Sequence, residues 1–291
     1  MKELYADLHV HTNFSDGAFS PEEAVQFAHK MGLSAISITD HDIVDGIPAA
    51  IREGNKLGVE VIPGIELSTI VGDVKTSEMH ILGYFINWEN IEFRQSLDLF
   101  RTNRKKRAYE MLDKFKRLGI ALDEKYIFAL SGNGSIGRLH FAKALIKQGF
   151  SANIKDAFQN FLGIGKPAYV PKLHIKPCDA IKMILRVGGV PVLAHPFYGH
   201  YSDRDLINGL IRDGLRGIEV WHSKHTPDIS KKFLRLATET SLIATGGSDC
   251  HGAFAGESAM MGSVKIPYSA IDELRKSKSK IDNDNLNIPG N

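Results

Sequence analysis

The chain has 291 residues, 43% of them hydrophobic, and 36 basic against 34 acidic side chains leave a net charge of +2. That length and apolar content suit one large α/β domain with room for a small insertion, and they argue against disorder. The near balance of charge excludes polyanion binding by bulk attraction, and two cysteines without a CxxC argue against a disulfide framework.

Leu4 to His11 reads as a buried strand that starts almost at the N-terminus, with no charged-then-apolar leader before it. No run approaches the roughly 20 apolar residues of a membrane helix, so a soluble cytoplasmic protein is expected. Ser20-Pro21-Glu22-Glu23 is a capping box with Pro at the first helical position and predicts a helix to about Lys30, closed by Gly32. Ser34–Thr39 reads as a strand, a helix opens at Asp45 or Gly46 and ends near Gly58, and Val59–Ile65 reads as a third strand. This βαβαβ order with short loops predicts parallel strands in a barrel or doubly wound sheet. Residues 72–77 read as a turn and Met79–Phe85 as a strand.

From about Ile91 to Leu118 the chain is charged and helical, with Leu97, Phe100, Met111, Leu112 and Phe115 at helical spacing. Further short helices are expected to about Phe161. The simplest organisation is a helical subdomain at 91–167 inserted into a barrel made of residues 1–90 and 168–276. Its Arg/Lys run from Arg101 to Arg107 reads as a solvated helix face. Alternation then resumes with a helix at Cys178–Val187, a strand at Val190–Ala194, a helix at Asp203–Asp213, a strand at Gly217–Trp221, a helix at Asp228–Glu239 and a strand at Leu242–Gly246. The polar tail 277–291 is expected to be loosely ordered.

The residues that carry chemistry come in bursts, most of them at or just past strand-like runs: His9-Val10-His11 with Asp16, Asp40-His41, Glu66 with His80, His195, and Asp249-Cys250-His251. His9 and His11 are two apart on a strand and point to one face. Strand ends of an α/β barrel converge, so distant ligands can meet there, and His with carboxylate is a natural donor set for Zn, Mn or Fe.

In order and type these motifs resemble the PHP family, the polymerase-and-histidinol-phosphatase superfamily of metal-dependent phosphoesterases. The matching segments are His9-Val10-His11 with Asp16-Gly17, Thr39-Asp40-His41, Pro63-Gly64-Ile65-Glu66, His80, Ala194-His195-Pro196 and Ser248-Asp249-Cys250-His251. Ser135-Ile136-Gly137-Arg138-Leu139-His140 and Glu219-Val220-Trp221-His222-Ser223 are similar to segments of its nucleoside 3′,5′-bisphosphate phosphatase branch, whose members also trim RNA 5′ ends. The resemblance implies a distorted (β/α)7 TIM-like barrel with a helical insertion. It implies two or three divalent ions (Mn²⁺, Fe²⁺ or Zn²⁺), held by His9, His11, Glu66 and Asp249, by Glu66, His80 and His195, and by Asp16, His41 and His251. Glu66 would bridge the first two, and Asp40 would orient a ligand. A hydroxide between ions ~3.5–4 Å apart would attack phosphorus in line.

Arg138 and His140, with Ser135, enter a helix from a Gly-rich loop and are expected to hold substrate phosphate. His222 ends a strand and is expected either to contact substrate or to protonate the leaving group. The expected substrate is a phosphorylated small nucleotide or short RNA, with no membrane and no DNA partner. Histidinol phosphate, a non-catalytic PHP module and a regulatory metal-binding protein are the alternatives. Cys250, between two ligands, is expected to point away from them and pack.

Overall fold

Local signals place the first elements. Ser20 Oγ accepts the backbone N–H of Glu23 at 3.2 Å, and Glu23 Oε2 accepts that of Ser20 at 2.7 Å, which opens α1 (Pro21–Lys30). Gly58 ends α2 (Ile47–Leu57) in the left-handed conformation at φ 70°. The computed structural model describes residues 3–71, 78–131, 134, 136–171, 175–197, 203–252 and 260–286. The expected turn at 72–77 lies outside them.

Among the described residues eight strands make one sheet: β1 (Tyr5–Val10), β2 (Ala35–Ile38), β3 (Glu60–Ile70), β4 (Glu78–Tyr84), β5 (Val190–Leu193), β6 (Gly217–His222), β7 (Ile243–Gly247) and β8 (Ile266–Pro267). Their order is β7-β6-β5-β4-β3-β2-β1-β8. The pairs β1–β2, β2–β3, β5–β6 and β6–β7 are parallel, as the short-loop alternation predicts. β4 is antiparallel to both neighbours, and the two-residue β8 is antiparallel to the start of β1. The sheet curls into a nearly closed, TIM-like barrel. Beyond β7 the chain returns to the end of β1, where Cys250 O accepts the N–H of His11 at 2.9 Å and His9 O accepts that of Cys250 at 3.2 Å. Gly247 permits this approach, because a Cβ there would lie 2.4 Å from the backbone nitrogen of His9.

Between β4 and β5 the regular elements of the described chain are helical, apart from an isolated bridge at Ile175: α3 (Ile91–Arg117), α4 (Glu124–Ser131), α5 (Arg138–Lys147), α6 (Ile154–Ala157), a π-helical turn at Phe158–Leu162, and α7 (Pro177–Arg186). α3 serves two cores. Phe93, Leu97 and Phe100 join the barrel's apolar cluster, whereas Ala108, Met111 and Phe115 pack with Ile127, Phe141, Leu145, Leu162 and Ala168. The remaining helices are α8 (Arg204–Asp213), α9 (Pro227–Thr240) and α10 (Ser269–Leu286).

α10 corrects the expected loose tail. Residues 277–286 continue the helix, with Ile281 buried in the cluster that holds Ile271, Leu274, Leu8 and Tyr84. Lys278 pairs with Asp282 at 2.7 Å, and Asn285 Nδ2 donates to Leu185 O at 3.1 Å. Among the described residues no helix is long and apolar enough to cross a membrane.

Candidate metal centre

All nine expected ligands lie at one end of the barrel, though not all by the expected route. His9 sits on β1 with His11 just beyond it, and His41, His195, Asp249 and His251 follow β2, β5 and β7. Glu66 is not at a strand end. It lies inside β3, beyond the stretch paired with β2, where it bridges His41 instead. His80 is near the start of β4, and the reversal of that strand brings its start to the ligand end.

Four donors surround one point. His9 Nε2 and His11 Nε2 are 3.1 Å apart, Glu66 Oε2 is 3.3 and 3.2 Å from them, and Asp249 Oδ1 is 3.4 and 3.1 Å from them. Donors about 2.1 Å from one ion in a tetrahedron are about 3.4 Å apart, so this spacing fits a first-row divalent cation. Glu66 Oε1 lies 2.8 Å from His80 Nδ1 and 2.9 Å from His195 Nε2. Asp16 Oδ1 is 3.3 Å from His251 Nε2, and Asp16 Oδ2 is 3.9 Å from His41 Nε2. His11, Asp16, His41 and His251 form a compact donor group, as do His9, His11, Glu66 and Asp249.

Protons alone serve this cluster poorly. Asp16 Oδ1, His41 Nδ1, Glu66 Oε2 and His80 Nε2 are buried without a hydrogen-bond partner, although several lie at ion-pair distance from a neighbour. Donors aimed at shared points rather than at one another fit cations, and a buried unpaired donor is costly otherwise. Burial works against a charged His9, but Glu219, Glu66 and Asp249 overcome it and raise its pKa well above 6.5. At His41 burial wins, with repulsion from His11 and His80, and the pKa falls to about 3.

The loops that carry the expected ligands are tied down by carboxylates outside that set. Asp40 accepts the N–H of Thr12 at 2.7 Å and its hydroxyl at 2.6 Å, which holds the loop between His11 and Asp16. Asp7 accepts the N–H of Ser248 at 2.8 Å beside Asp249. Two of the expected ligands, His195 at φ 22° and Asp249 at φ 55°, are non-glycine residues in the left-handed region, at a cost of about 1–3 kcal/mol each. Cys250 is buried in the cluster of Val10, Ala24 and Ile36, as packing requires.

His222 is placed behind Asp249. Its Nε2 is 3.3 Å from Asp249 Oδ2, and its Nδ1 accepts the N–H of Lys224 at 3.1 Å. Both ring nitrogens of His222 are therefore engaged, one at Asp249 and one at the Lys224 N–H.

The helical segment adds positive charge. Arg138 starts α5, 3.5 Å from Glu78, with its guanidinium over the rings of Phe158 and Tyr169. His140 is buried and its Nδ1 accepts the N–H of Gly137 at 2.9 Å, and burial lowers its pKa to about 4. Ser135 lies outside the described residues. The solvated face expected for Arg101–Arg107 holds for Arg101, Lys105 and Lys106 but not for Arg104 and Arg107, each 7% exposed. They turn inward because acceptors wait there: Arg104 pairs with buried Asp42, and Arg107 Nε donates to the Val170 carbonyl at 2.8 Å. Burial, with Arg138 and Arg104 close by, lowers the Arg107 pKa to about 10. Sequence reasoning had no signal for these two, since a helix face declares itself only against its neighbours.

Residues 7–164 match the PHP domain family. The chain belongs to the PHP family. It is 33% identical over 251 residues to the 3′,5′-nucleoside bisphosphate phosphatase of Chromobacterium violaceum, covering 84% of this chain and 86% of that one. It is 32% identical over 248 residues to a 5′-3′ exoribonuclease of Haemophilus influenzae, covering 84% and 89%. A Bifidobacterium adolescentis structure assigned as a metal-dependent phosphoesterase superposes with a TM-score of 0.85 at 28% identity, covering 92% of this chain and 94% of that one. This PHP protein is an enzyme, a metal-dependent phosphoesterase, and histidinol phosphate is not the favoured substrate.

Proposed function

We propose that the protein removes phosphate from small nucleotides that carry a second phosphate, such as nucleoside 3′,5′-bisphosphates, using two or three divalent ions. His9, His11, Glu66 and Asp249 would hold one, Glu66 with His80 and His195 a second, and Asp16, His41 and His251 a third. Mn²⁺, Fe²⁺ and Zn²⁺ all suit this mixed N/O set. Bound ions supply an activated water and neutralise phosphoryl charge. The chain's own residues do the rest. Glu66 spaces the donors, Asp40 and Asp7 hold the ligand loops, and Arg138, His140 and Arg107 receive the phosphate that is not cleaved, with residues 91–167 as one wall of the pocket.

The observation that carries this reading is the guanidinium group of Arg104, Arg107 and Arg138, offset in the contacts above only by Asp42 and Glu78. A single scissile phosphate held by cations has little use for it, whereas a second phosphate does. RNA with a 5′ phosphate presents similar groups, and the exoribonuclease name of a relative favours it as a second reading.

The test is phosphate release by the Mn-loaded protein over a nucleoside 3′,5′-bisphosphate, a short 5′-phosphorylated RNA, histidinol phosphate and an aryl phosphate. Arg138→Ala is expected to lower kcat/KM for the bisphosphate roughly ten- to a hundredfold, the size of a lost charge-assisted contact, and to spare the aryl phosphate. Equal losses on both would put Arg138 at the scissile phosphate. No loss on either would refute the second-phosphate site.

A further inference from the structure

Glu219 is a fully buried carboxylate in β6, surrounded by strands that supply ligands. Both of its oxygens are engaged by them. Oε1 lies 3.1 Å from His9 Nδ1, and Oε2 accepts the backbone N–H of His195 at 2.7 Å. A carboxylate only accepts, so His9 must donate from Nδ1. In the neutral ring, the form that can bind a cation, that leaves the lone pair on Nε2, the atom 3.1 Å from His11 Nε2 and 3.3 Å from Glu66 Oε2. The second oxygen does a different job. It holds the peptide N–H of a residue at φ 22°, from which the His195 ring reaches Glu66 Oε1 at 2.9 Å.

We propose that Glu219 is the positioning residue shared by two metal sites, setting the ring tautomer of His9 through one oxygen and the backbone of His195 through the other. The proposal rests on the reading of His9 and His195 as metal ligands. It also separates the sites. Asp16 sits on a loop held by Asp40, and the contacts of Glu219 above go to His9 and His195 rather than to Asp16, His41 or His251. One carboxylate therefore governs the first and second ions and leaves the third alone.

Two variants divide the roles. Glu219→Ala removes both contacts. Glu219→Gln keeps the shape, and its carbonyl can still accept from His195. Its amide N–H then faces His9 Nδ1, which drives the ring proton to Nε2, where it competes with a cation. Chelator-stripped wild type and both variants are titrated with Mn²⁺ and with Zn²⁺ in competition with a fluorescent chelator, and thermal unfolding of the stripped proteins is recorded alongside. The expected result is a loss of roughly 10- to 100-fold in affinity for the two tighter-coupled ions in Glu219→Ala, the usual effect of losing a carboxylate that orients a ligating histidine. Glu219→Gln should show at least the loss at the His9 site, with the remaining class of site at wild-type affinity and unfolding close to wild type. Wild-type affinity in Glu219→Gln, or an equal loss at every site in both variants, would overturn the proposal. Failure of the wild type itself to take up metal would overturn the ligand assignment as well, an outcome distinct from either.

Discussion

The pair of Arg104 and Asp42 joins the helical segment to the metal centre, and its loss can be given a size. Arg104 comes from α3, and its Nη2 and Nε both reach Asp42 Oδ2, with the Nε contact at 3.2 Å. The side chains are 8% and 1% exposed. Asp42 follows the proposed ligand His41, sits at φ 57°, and uses its other oxygen to accept the N–H of Ser68 at 2.8 Å. Arg104→Met keeps the aliphatic stem and takes the guanidinium away from an interior carboxylate. Breaking one side of a buried pair costs about 3–5 kcal/mol. For a chain of this size about 2 °C of Tm corresponds to each kcal/mol, so the expected fall is roughly 6–10 °C. Adding Asp42→Asn should restore most of it. Asparagine tolerates the left-handed backbone, still accepts from Ser68, and carries no charge to strand. Calorimetry of the single and double variants, all stripped of metal so that ion binding does not shift the midpoint, reads the effect directly. A fall below about 2 °C in Arg104→Met, or a double variant no better than the single, would show that solvent or another cation already compensates Asp42 and that the pair is not the tie inferred here.

Glu66→Gln should abolish phosphate release and lower metal stoichiometry while leaving far-ultraviolet circular dichroism unchanged, because one buried carboxylate lies within 3.3 Å of His9, His11, His41, His80 and His195; near-normal turnover would contradict the proposed place between two ions. His140 has a folded pKa of about 4 against an ordinary 6.5, so the unfolded chain binds the proton more readily. Its contribution is present above pH 6.5 and is lost as the pH falls from there towards 4, by about 2–3 kcal/mol. Urea midpoints measured across that window should therefore fall more steeply for wild type than for His140→Gln, and parallel curves would place the titration elsewhere.

Much of this protein is written locally. The capping box at Ser20 and the left-handed stop at Gly58 act within a few residues, and the structure places both where the sequence does. The cluster of candidate ligands is legible for a related reason. His and carboxylate residues beside short apolar runs are unusual in type, so their identity survives without knowledge of the strands. Where strands point and what a charge meets are different matters. The reversal of β4 brings His80 to the ligand end, and β3 runs on past Glu66, because the two strands form a long antiparallel pair. The tail reads as polar, yet Ile281 lies two turns beyond Leu274 and finds the barrel's apolar cluster. Arg104 and Arg107 sit in a run that reads as solvated and are buried because Asp42 and the Val170 carbonyl wait across the interface. Composition and spacing state what a residue can do. Strand direction and the partner of a buried charge depend on chain segments tens to hundreds of residues away, and packing alone decides which of them meet.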